Sequence, residues 1–220
     1  MRVLLLGHGR MGKLVESLAP EYDATIAGVI DEHGGEIVDA DVAIDFTLAD
    51  AVARNLPRLA GRKINVVIGT TGWQAQEASM RAIAEKAGIG VLAASNFSLG
   101  MNIFQLAVEE ASRNFATHPE FGAWIHESHH AMKKDAPSGT AVTIKKGMQQ
   151  AGFSRPIDVS STRVGHVPGT HTVGFDGPSE TIEFTHTVRD RAVFARGALV
   201  AAKWLVGKQG WFSIRDLLSK

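Results

Sequence analysis

The sequence contains no cysteine among its 220 residues. This absence excludes disulfide bonds, thiolate metal sites and a cysteine nucleophile, and it is compatible with a reducing cytosol. Neither sign of charge is in excess, because 23 Lys and Arg residues balance 23 Asp and Glu residues. No block of Lys and Arg indicates a surface for phosphate backbones, so we expect no nucleic acid partner.

Long hydrophobic runs are also missing. The apolar run at residues 3–6 is too short for the core of a signal peptide or for a membrane span, and it is typical of a buried first strand. The composition, 45% hydrophobic and 21% charged, is that of an ordinary globular protein. We therefore expect a soluble, cytoplasmic protein of one large or two small domains, with no membrane partner.

Short apolar runs alternate with helical stretches in the first hundred residues. The runs are rich in Val, Ile, Leu and Ala, as buried strands of a sheet covered on both faces require, and they span residues 3–7, 25–31, 42–47, 64–70 and 88–96. Apolar residues at helical spacing predict helices over 11–18, 49–60 and 74–87. The alternation indicates βαβ units with a parallel sheet. Because only residues 32–41 separate the second and third strands, we expect a loop or a single helical turn there.

The pattern changes after Asn96. Helices are predicted over 100–113, from Ser138 and over 194–207, and strands over 123–127, 157–163, 171–175 and 180–187. The later strands alternate polar and apolar residues, which is typical of a sheet with one covered and one open face. The sequence thus predicts an α/β protein with a parallel-sheet domain in the first hundred residues and a second α/β domain with a mixed open sheet.

A glycine-rich turn joins the first strand to the first helix. It follows the dinucleotide pattern G-x-G-x-x-G, in which glycines let the backbone approach a pyrophosphate at the positive end of a helix, and it comprises Gly7, His8, Gly9, Arg10, Met11 and Gly12. An acid, Asp31, stands about twenty residues on, as the pattern requires. An ordinary βα turn is the plain alternative, but the strand, the helix and the acid together favour a Rossmann-type site.

Asp31 also bears on the choice of cofactor. A carboxylate that accepts from the ribose 2′-OH repels a 2′-phosphate, and Glu32 follows with no arginine close by in the chain. We therefore expect NADH or NADPH as cofactor, with NADH favoured, unless a distant segment supplies positive charge.

Two more strand ends are polar and loop-like. Ligands of open α/β sheets lie beyond the carboxyl ends of the strands, so these ends fall where the nicotinamide ribose and ring are expected. Taken as isolated tetrapeptides, they are better explained as plain turns. Their residues are Gly69, Thr70 and Thr71 after one strand, and Ala94, Ser95, Asn96 and Phe97 after the next.

A second chemical signal lies between residues 127 and 140. Ser138 is a good N-cap, which leaves the N–H groups of Gly139 and Thr140 without partners inside the helix. Lys133 and the pair His129 and His130 precede it, and imidazole, ammonium and helix N-terminus together form an anion site with a proton-transfer group. A capped surface helix after a basic loop is the alternative on spacing alone.

A zinc-protease motif overlaps this segment. His126 to His130 satisfies H-E-x-x-H, which works only on a helix, where both imidazoles reach one metal. Strand-like residues lead into the motif, and Pro137 interrupts soon after it, so we expect no metal site.

The segment from Glu127 to Ala141 resembles the E-x-H-H-x-x-K-x-D-A-P-S-G-T-A signature of the dihydrodipicolinate reductases. Further segments match the family in order along nearly the whole chain: 45–47, 69–72, 96–102, 163–165, 169–171 and 189–198. The resemblance implies a Rossmann-type dinucleotide-binding domain, 1–97 plus 197–220, which the carboxyl-terminal helix completes. It also implies a substrate domain, 98–196, and a homotetramer formed through the substrate-domain sheet.

The resemblance also implies a reaction and roles. The 4-hydroxy substrate of the diaminopimelate route to lysine loses water, receives a hydride at ring carbon 4 and is then protonated. By that likeness His129 is the general acid and base, and Lys133 donates a proton and contacts substrate. The small dicarboxylate substrate is then held by His130, Lys133, Ser138, Gly139 and Thr140.

Two features depart from the family pattern, and both lie on the cofactor side. The loop from Gly7 to Gly12 is one residue shorter than the common G-x-x-G-x-x-G, and the 32–41 connection is shorter than usual. Another two-domain dehydrogenase or a dinucleotide-sensing module would also explain the glycine loop. Neither explains His129 beside Lys133.

Overall fold

The computed structural model describes residues 1–219, so Lys220, the end of the predicted segment 197–220, lies outside the described part. The chain divides into two compact units, Met1–Leu99 with Ala192–Lys220, and Gly100–Arg191. The predicted boundaries were 97/98 and 196/197. Residues 192–196 therefore belong to the first unit, because a helix begins at Ala192 and its apolar side packs into that unit's core.

The first unit is an open α/β sheet flanked by helices. In chain order its elements are β1 (Arg2–Leu6), α1 (Arg10–Leu18), β2 (Thr25–Ile30), β3 (Val42–Asp45), α2 (Ala49–Gly61), β4 (Asn65–Ile68), α3 (Glu77–Ala87), β5 (Gly90–Ala93), α6 (Ala192–Leu205), β10 (Gly210–Phe212) and α7 (Ile214–Leu218). Short 3-10 turns occupy Ala19–Tyr22 and Gln74–Gln76. Among residues 1–219, six strands pair in parallel in the order β10-β5-β4-β3-β1-β2. The predicted Rossmann-type sheet is confirmed, whereas β10 and α7 were not predicted.

Both faces of this sheet are covered, because its central strands have apolar side chains on both sides. Leu5 faces a core shared with α1 and α6, whereas Leu4 faces a core shared with α2 and α3. Full burial of a large apolar side chain stabilises the folded state by about 1.5–3 kcal/mol.

The connection from β2 to β3 has no helix. Asp31 and Gly34 form a single antiparallel bridge, and an extended segment then crosses β1 to reach β3. Val38 packs against Gly28, where a Cβ would stand 2.9 Å from a Val38 methyl. The loop predicted over 32–41 is confirmed, and its apolar residues cover the sheet in place of a helix.

The second unit packs helices on one face of a mixed sheet. Its elements are α4 (Leu99–Phe115, which begins at the boundary), β6 (Gly122–His129), α5 (Gly139–Gln150), β7 (Ile157–Arg163), β8 (Thr170–Asp176) and β9 (Thr181–Thr187). In the described chain four strands pair in the order β7-β6-β8-β9, with β6 parallel to β7 and antiparallel to β8. Side chains on β6 alternate between buried and half-buried, which confirms the predicted open sheet.

No helix among the described residues is both long and apolar enough to cross a membrane.

Candidate active site

The loop between β1 and α1 presents its backbone at the carboxyl edge of the parallel sheet. Gly7 has a φ of +88°, a conformation that favours glycine, and its N–H donates to Ile30 O at 2.8 Å. A Cβ on Gly12 would stand 2.1 Å from Gly7 O, so the absence of a side chain lets α1 approach the loop. A Cβ on Gly9 would meet no atom within 4 Å, so the outer side of the loop can accept a ligand.

A cavity of about 830 Å³ opens beside this loop. It includes Asp31 together with the loop residues Gly7, His8 and Gly9. Phe46 and Thr47, which follow β3, line it too. The cavity thus lies between the ends of β1 and β3, where the strand order reverses and open α/β sheets bind ligands. The open loop face and the adjoining acid fit a dinucleotide.

Arg54 of α2 lines the same cavity as Asp31. The sequence showed no arginine near Asp31, but the fold brings one from a separate helix. Asp31 Oδ1 accepts the N–H of His33 at 2.8 Å, which fixes the carboxylate at the end of β2. The cavity therefore presents both a negative and a positive group to a ribose.

Some predicted cofactor residues lie elsewhere. Thr70, Ala94 and Ser95 line a second cavity of about 410 Å³ beside Trp73 and Trp211. The others contribute to neither lining, and they are Arg10, Met11, Gly12, Gly69, Thr71, Asn96 and Phe97.

Two of these residues have clear packing roles. The ring of Phe97 is buried and packs edge-on against Phe46 with centroids 6.2 Å apart. A Cβ on Gly69 would stand 2.1 Å from the Phe46 ring, so glycine at this position makes room for that ring.

Sequence reasoning gave no role to Asp45, which ends β3 and is 1% exposed. Its carboxylate accepts from Thr47 Oγ1 at 2.5 Å, from Thr70 Oγ1 at 3.0 Å and from Asn55 Nδ2 at 3.2 Å. These bonds fix the segments that follow β3 and β4 around the larger cavity. An acid at the end of an otherwise apolar strand was the signal in the sequence.

In the second unit, β6 carries Glu127 and His129 on its buried face. They are two residues apart, so they point to the same side of the strand. Glu127 lies opposite His171 of β8, and His129 lies opposite Arg163 of β7. The register therefore gathers two imidazoles, a carboxylate and a guanidinium.

The Glu127 side chain is fully buried and bonded on both oxygens. Oε1 accepts from Arg163 Nη2 at 2.7 Å and from the Ser138 N–H at 3.3 Å, and Oε2 contacts His129 Nδ1. Burial alone would raise the pKa of Glu127, but hydrogen bonds from Arg163, Ser161 and His129 outweigh it and lower the pKa to about 2. Glu127 is therefore an ionised buried carboxylate.

The two imidazoles beside Glu127, those of His129 and His171, both have lowered pKa values. Burial lowers the pKa of His129, although the hydrogen bond and charge of Glu127 oppose that effect. Burial lowers the pKa of His171 to about 4, so this ring is neutral near pH 7. His171 Nε2 lies 3.1 Å from Ser138 Oγ, and its Nδ1 is buried without a hydrogen-bond partner among the described residues.

This cluster has the spacing of metal ligands, since one donor atom each from Glu127, His129 and His171 lies within 4.8 Å of the others. The Arg163 guanidinium already neutralises the carboxylate, and it would repel a bound cation. We therefore interpret the cluster as a hydrogen-bonded ionic network.

The zinc-protease alternative is wrong on geometry. His126 lies on the extended strand β6, on the face opposite to Glu127, where its Nδ1 lies 2.8 Å from Ser160 Oγ. An extended chain separates residues i and i+4 by about 13 Å, so His126 and His130 cannot share a metal as they would on a helix.

The loop after β6 brings an ammonium to a helix N-terminus. Ser138 caps α5 and accepts the N–H of Ala141 at 3.2 Å, as predicted. Lys133 Nζ donates to both oxygens of Asp135, at 2.8 and 2.9 Å. The hydrogen bond from Lys133 and a backbone bond from Gly139 lower the pKa of Asp135. These two donors can thus converge on one carboxylate.

The remaining predicted substrate residues lie close by in the chain. His130 is half-buried just after β6, and its carbonyl accepts the N–H of Lys133 at 3.1 Å. Thr140 is half-buried in the first turn of α5, whereas a Cβ on Gly139 would meet no atom within 4 Å. Sequence reasoning missed Glu127, Arg163 and His171 as members of this site.

A parallel sheet with a glycine-rich first turn and a cavity at the point where its strand order reverses is the architecture of a dinucleotide-binding protein. Residues 1–97 match the family model "Dihydrodipicolinate reductase, N-terminus", and residues 100–218 match "Dihydrodipicolinate reductase, C-terminus". The chain belongs to the dihydrodipicolinate reductase family.

Relatives match the chain over its whole length. The 4-hydroxy-tetrahydrodipicolinate reductase of Christiangramia forsetii is 37% identical over 234 residues, covering 100% of this chain and 98% of the relative. That of Xanthomonas axonopodis pv. citri is 40% identical over 239 residues, covering 99% and 98%. A solved dipicolinate-bound dihydrodipicolinate reductase from Paenisporosarcina sp. TG-14 shares the fold, with a TM-score of 0.81 and 21% identity over 97% of each chain.

Proposed function

We propose that this protein is a cytoplasmic 4-hydroxy-tetrahydrodipicolinate reductase of the diaminopimelate route to lysine. The observation that carries the proposal is the buried Glu127–His129 pair, followed directly by an anion-binding turn. A hydride acceptor with two carboxylates needs such a combination of proton donor and anion site. The relatives that match the full chain bear the name of this activity.

The substrate carboxylates are assigned to the turn after β6. Lys133 supplies the ammonium, and the first turn of α5 supplies the N–H groups of Gly139 and Thr140, with Ser138 as cap and His130 as a further donor. The carboxylate of Asp135 already accepts from Lys133 and Gly139, which supports the assignment of these donors to an anion.

The proton transfers are assigned to His129, assisted by Lys133. Once the 4-hydroxy group has left as water, a reduced nicotinamide held by the first unit would supply the hydride to ring carbon 4. His129 then gives a proton to the resulting enamine, which becomes tetrahydrodipicolinate. The imidazole of His129 regains a proton from solvent. Lys133 holds a carboxylate and donates a proton during the loss of water.

The cofactor is assigned to the first unit. Gly7 to Gly12 would hold the pyrophosphate, Asp31 the adenosine ribose, and residues 69–71 and 94–97 the nicotinamide end. We expect NADH to be preferred, because Asp31 would repel a 2′-phosphate. Arg54 lines the same cavity and would moderate that preference.

A homotetramer is assigned through the open face of the second unit's sheet. This face is polar, with Thr172 Oγ1 lying 3.0 Å from Thr185 Oγ1 across β8 and β9. Sedimentation velocity measures the assembly directly, and a monomer at micromolar concentration would contradict it.

The activity is tested by coupling the protein to a synthase that makes the 4-hydroxy substrate and following oxidation of the reduced cofactor. Turnover that requires both the synthase and this protein is the expected result. A calorimetric titration with dipicolinate, against benzoate as a monocarboxylate control, tests the anion site separately. Turnover of amino acids or semialdehydes, with none of the cyclic substrate, would contradict the proposal.

A further inference from the structure

We propose that Glu127 is the positioning residue of the proton-transfer site. Its buried carboxylate holds His129 by Nδ1, so that Nε2 is the atom that exchanges protons with substrate. This inference rests on the proposed function only for the role given to His129. The orientation and protonation of the ring are properties of the unliganded protein.

The first support is the contact between the two side chains. Glu127 Oε2 lies against His129 Nδ1, and both groups occupy the buried face of β6. An ionised carboxylate only accepts hydrogen bonds, so the neutral imidazole must carry its proton on Nδ1. Nε2 is then the basic atom of the ring.

The second support is the space beside Nε2. Gly169 precedes β8 with a φ of +145°, and a Cβ there would stand 3.1 Å from His129 Nε2. A side chain at position 169 would crowd this nitrogen, whereas glycine leaves space beside it. The carboxylate therefore fixes one nitrogen, and the missing side chain leaves room at the other.

The third support is the anchoring of Glu127 itself. Arg163 Nη2 donates at 2.7 Å to Oε1 and at 2.5 Å to the carbonyl of Asp135 in the anion-binding turn. One guanidinium thus keeps Glu127 ionised and ties it to the turn that holds Lys133. A buried carboxylate with this many partners cannot rotate away from His129.

The charged and titratable groups around His129 come from each neighbouring element. They are Glu127 on its own strand, Arg163 on β7, His171 on β8 and Lys133 in the turn, with His186 on β9 beyond His171. Arg163 and Lys133 disfavour a protonated ring, whereas Glu127 favours it. Loss of the Glu127 charge must therefore lower the basicity of His129.

The variant Glu127→Gln tests this role, with Glu120→Gln as a control that removes an exposed acid ahead of β6. In Glu127→Gln we expect kcat to fall by about tenfold or more with a much smaller change in KM. The limb of the pH profile that belongs to His129 is expected to move to lower pH. Glu127→Asp retains the charge and should keep that limb near its wild-type position. An unmoved limb in Glu127→Gln overturns the proposal, because a merely structural role predicts lower activity with the same pH profile.

Nitrogen-15 NMR of the unliganded wild-type protein gives a readout that needs neither turnover nor a folded variant of Glu127. The His129 signals are assigned by their loss in His129→Asn. Above neutral pH we expect the tautomer protonated on Nδ1, and a tautomer protonated on Nε2 overturns the proposal. If turnover of the cyclic substrate is absent but this tautomer is found, the proposed function fails while the positioning role stands.

Discussion

The ring of His171 stands edge-on to the ring of His129, with centroids 5.1 Å apart and an interplanar angle of 75°. Two buried imidazoles this close cannot both be charged without strong repulsion, and His129 is indeed one of the groups that lower the pKa of His171. Near pH 7, at most one of the two imidazoles can therefore be in its positively charged form.

The burial of His171 beside His129 makes the free energy of unfolding depend on pH within a definite window. His171 has a folded pKa of about 4 against an unfolded value of 6.5, so the unfolded chain takes up a proton first as pH falls. Stability is expected to decrease between pH 6.5 and 4, by up to about 3 kcal/mol from this group. Below pH 4.5 the protonation of Glu127 in the unfolded chain adds to the decrease, since the folded pKa of Glu127 is about 2.

Urea denaturation at several pH values measures this window. His171→Gln should flatten the dependence above pH 4.5, whereas His118→Gln, which removes an exposed imidazole of the same unit, should not. An equal slope in wild type and His171→Gln would contradict the assignment.

Two glycines of the loop, Gly12 and Gly9, are expected to respond differently when each is replaced by alanine. Gly12→Ala places a Cβ 2.1 Å from Gly7 O, so we expect a loss of about 1–3 kcal/mol and a lower Tm. Gly9 has an ordinary φ of −73° and open space around it, so Gly9→Ala should leave Tm nearly unchanged. Because that methyl faces the proposed pyrophosphate, Gly9→Ala should still weaken cofactor binding about tenfold.

Thermal melts and cofactor titrations of both variants separate the two roles. A Gly9→Ala protein that binds reduced cofactor as tightly as wild type would show that the pyrophosphate does not lie over this loop.

The cofactor preference is expected to respond to Asp31 and Arg54 in opposite directions. Asp31→Ser removes the charge that repels a 2′-phosphate, so the ratio of kcat/KM for NADPH to that for NADH should rise about tenfold or more. Adding Arg54→Gln removes the compensating cation and should bring the ratio back down. Glu36→Gln, an exposed acid in the same connection, is the control. A strong NADPH preference in the wild-type protein would contradict the role given to Asp31.

The two reacting side chains are expected to differ in their kinetic signatures. His129→Ala should lower kcat by roughly 100- to 10,000-fold with little change in KM, because a proton donor acts in the transition state. Lys133→Ala should lower kcat and also raise KM, because the role proposed for Lys133 includes holding a substrate carboxylate. Lys134→Ala, at an exposed neighbouring position, serves as control. Steady-state kinetics with varied substrate distinguishes these patterns, and an unchanged kcat in His129→Ala would defeat its assignment.

Local sequence patterns were sufficient to predict those elements that form through interactions between neighbours in the chain. The apolar runs predicted β1 to β5, and Ser138 predicted the cap of α5, because capping joins residues three apart. The sequence did not predict β10, since Gly210–Phe212 is too short to show a period and becomes a strand only by pairing with β5.

In the candidate site, too, some features follow from spacing along the chain and others only from the fold. Glu127 and His129 share a strand face by their spacing alone, which the sequence carries in full. Their partners Arg163 and His171 come from β7 and β8, so only the pairing of strands brings them together. Arg54 reaches the cavity of Asp31 in the same way, by the packing of α2 against the sheet.

By itself the sequence determined the family signature, the glycine turn, the helix cap at Ser138 and the order of strands and helices as far as α6, because each depends on neighbours along the chain. The tertiary structure alone decided the short crossing from β2 to β3, the acid and guanidinium that face one cavity, and the buried network around His129. Those features depend on strand register and helix packing between distant segments, which no local pattern encodes.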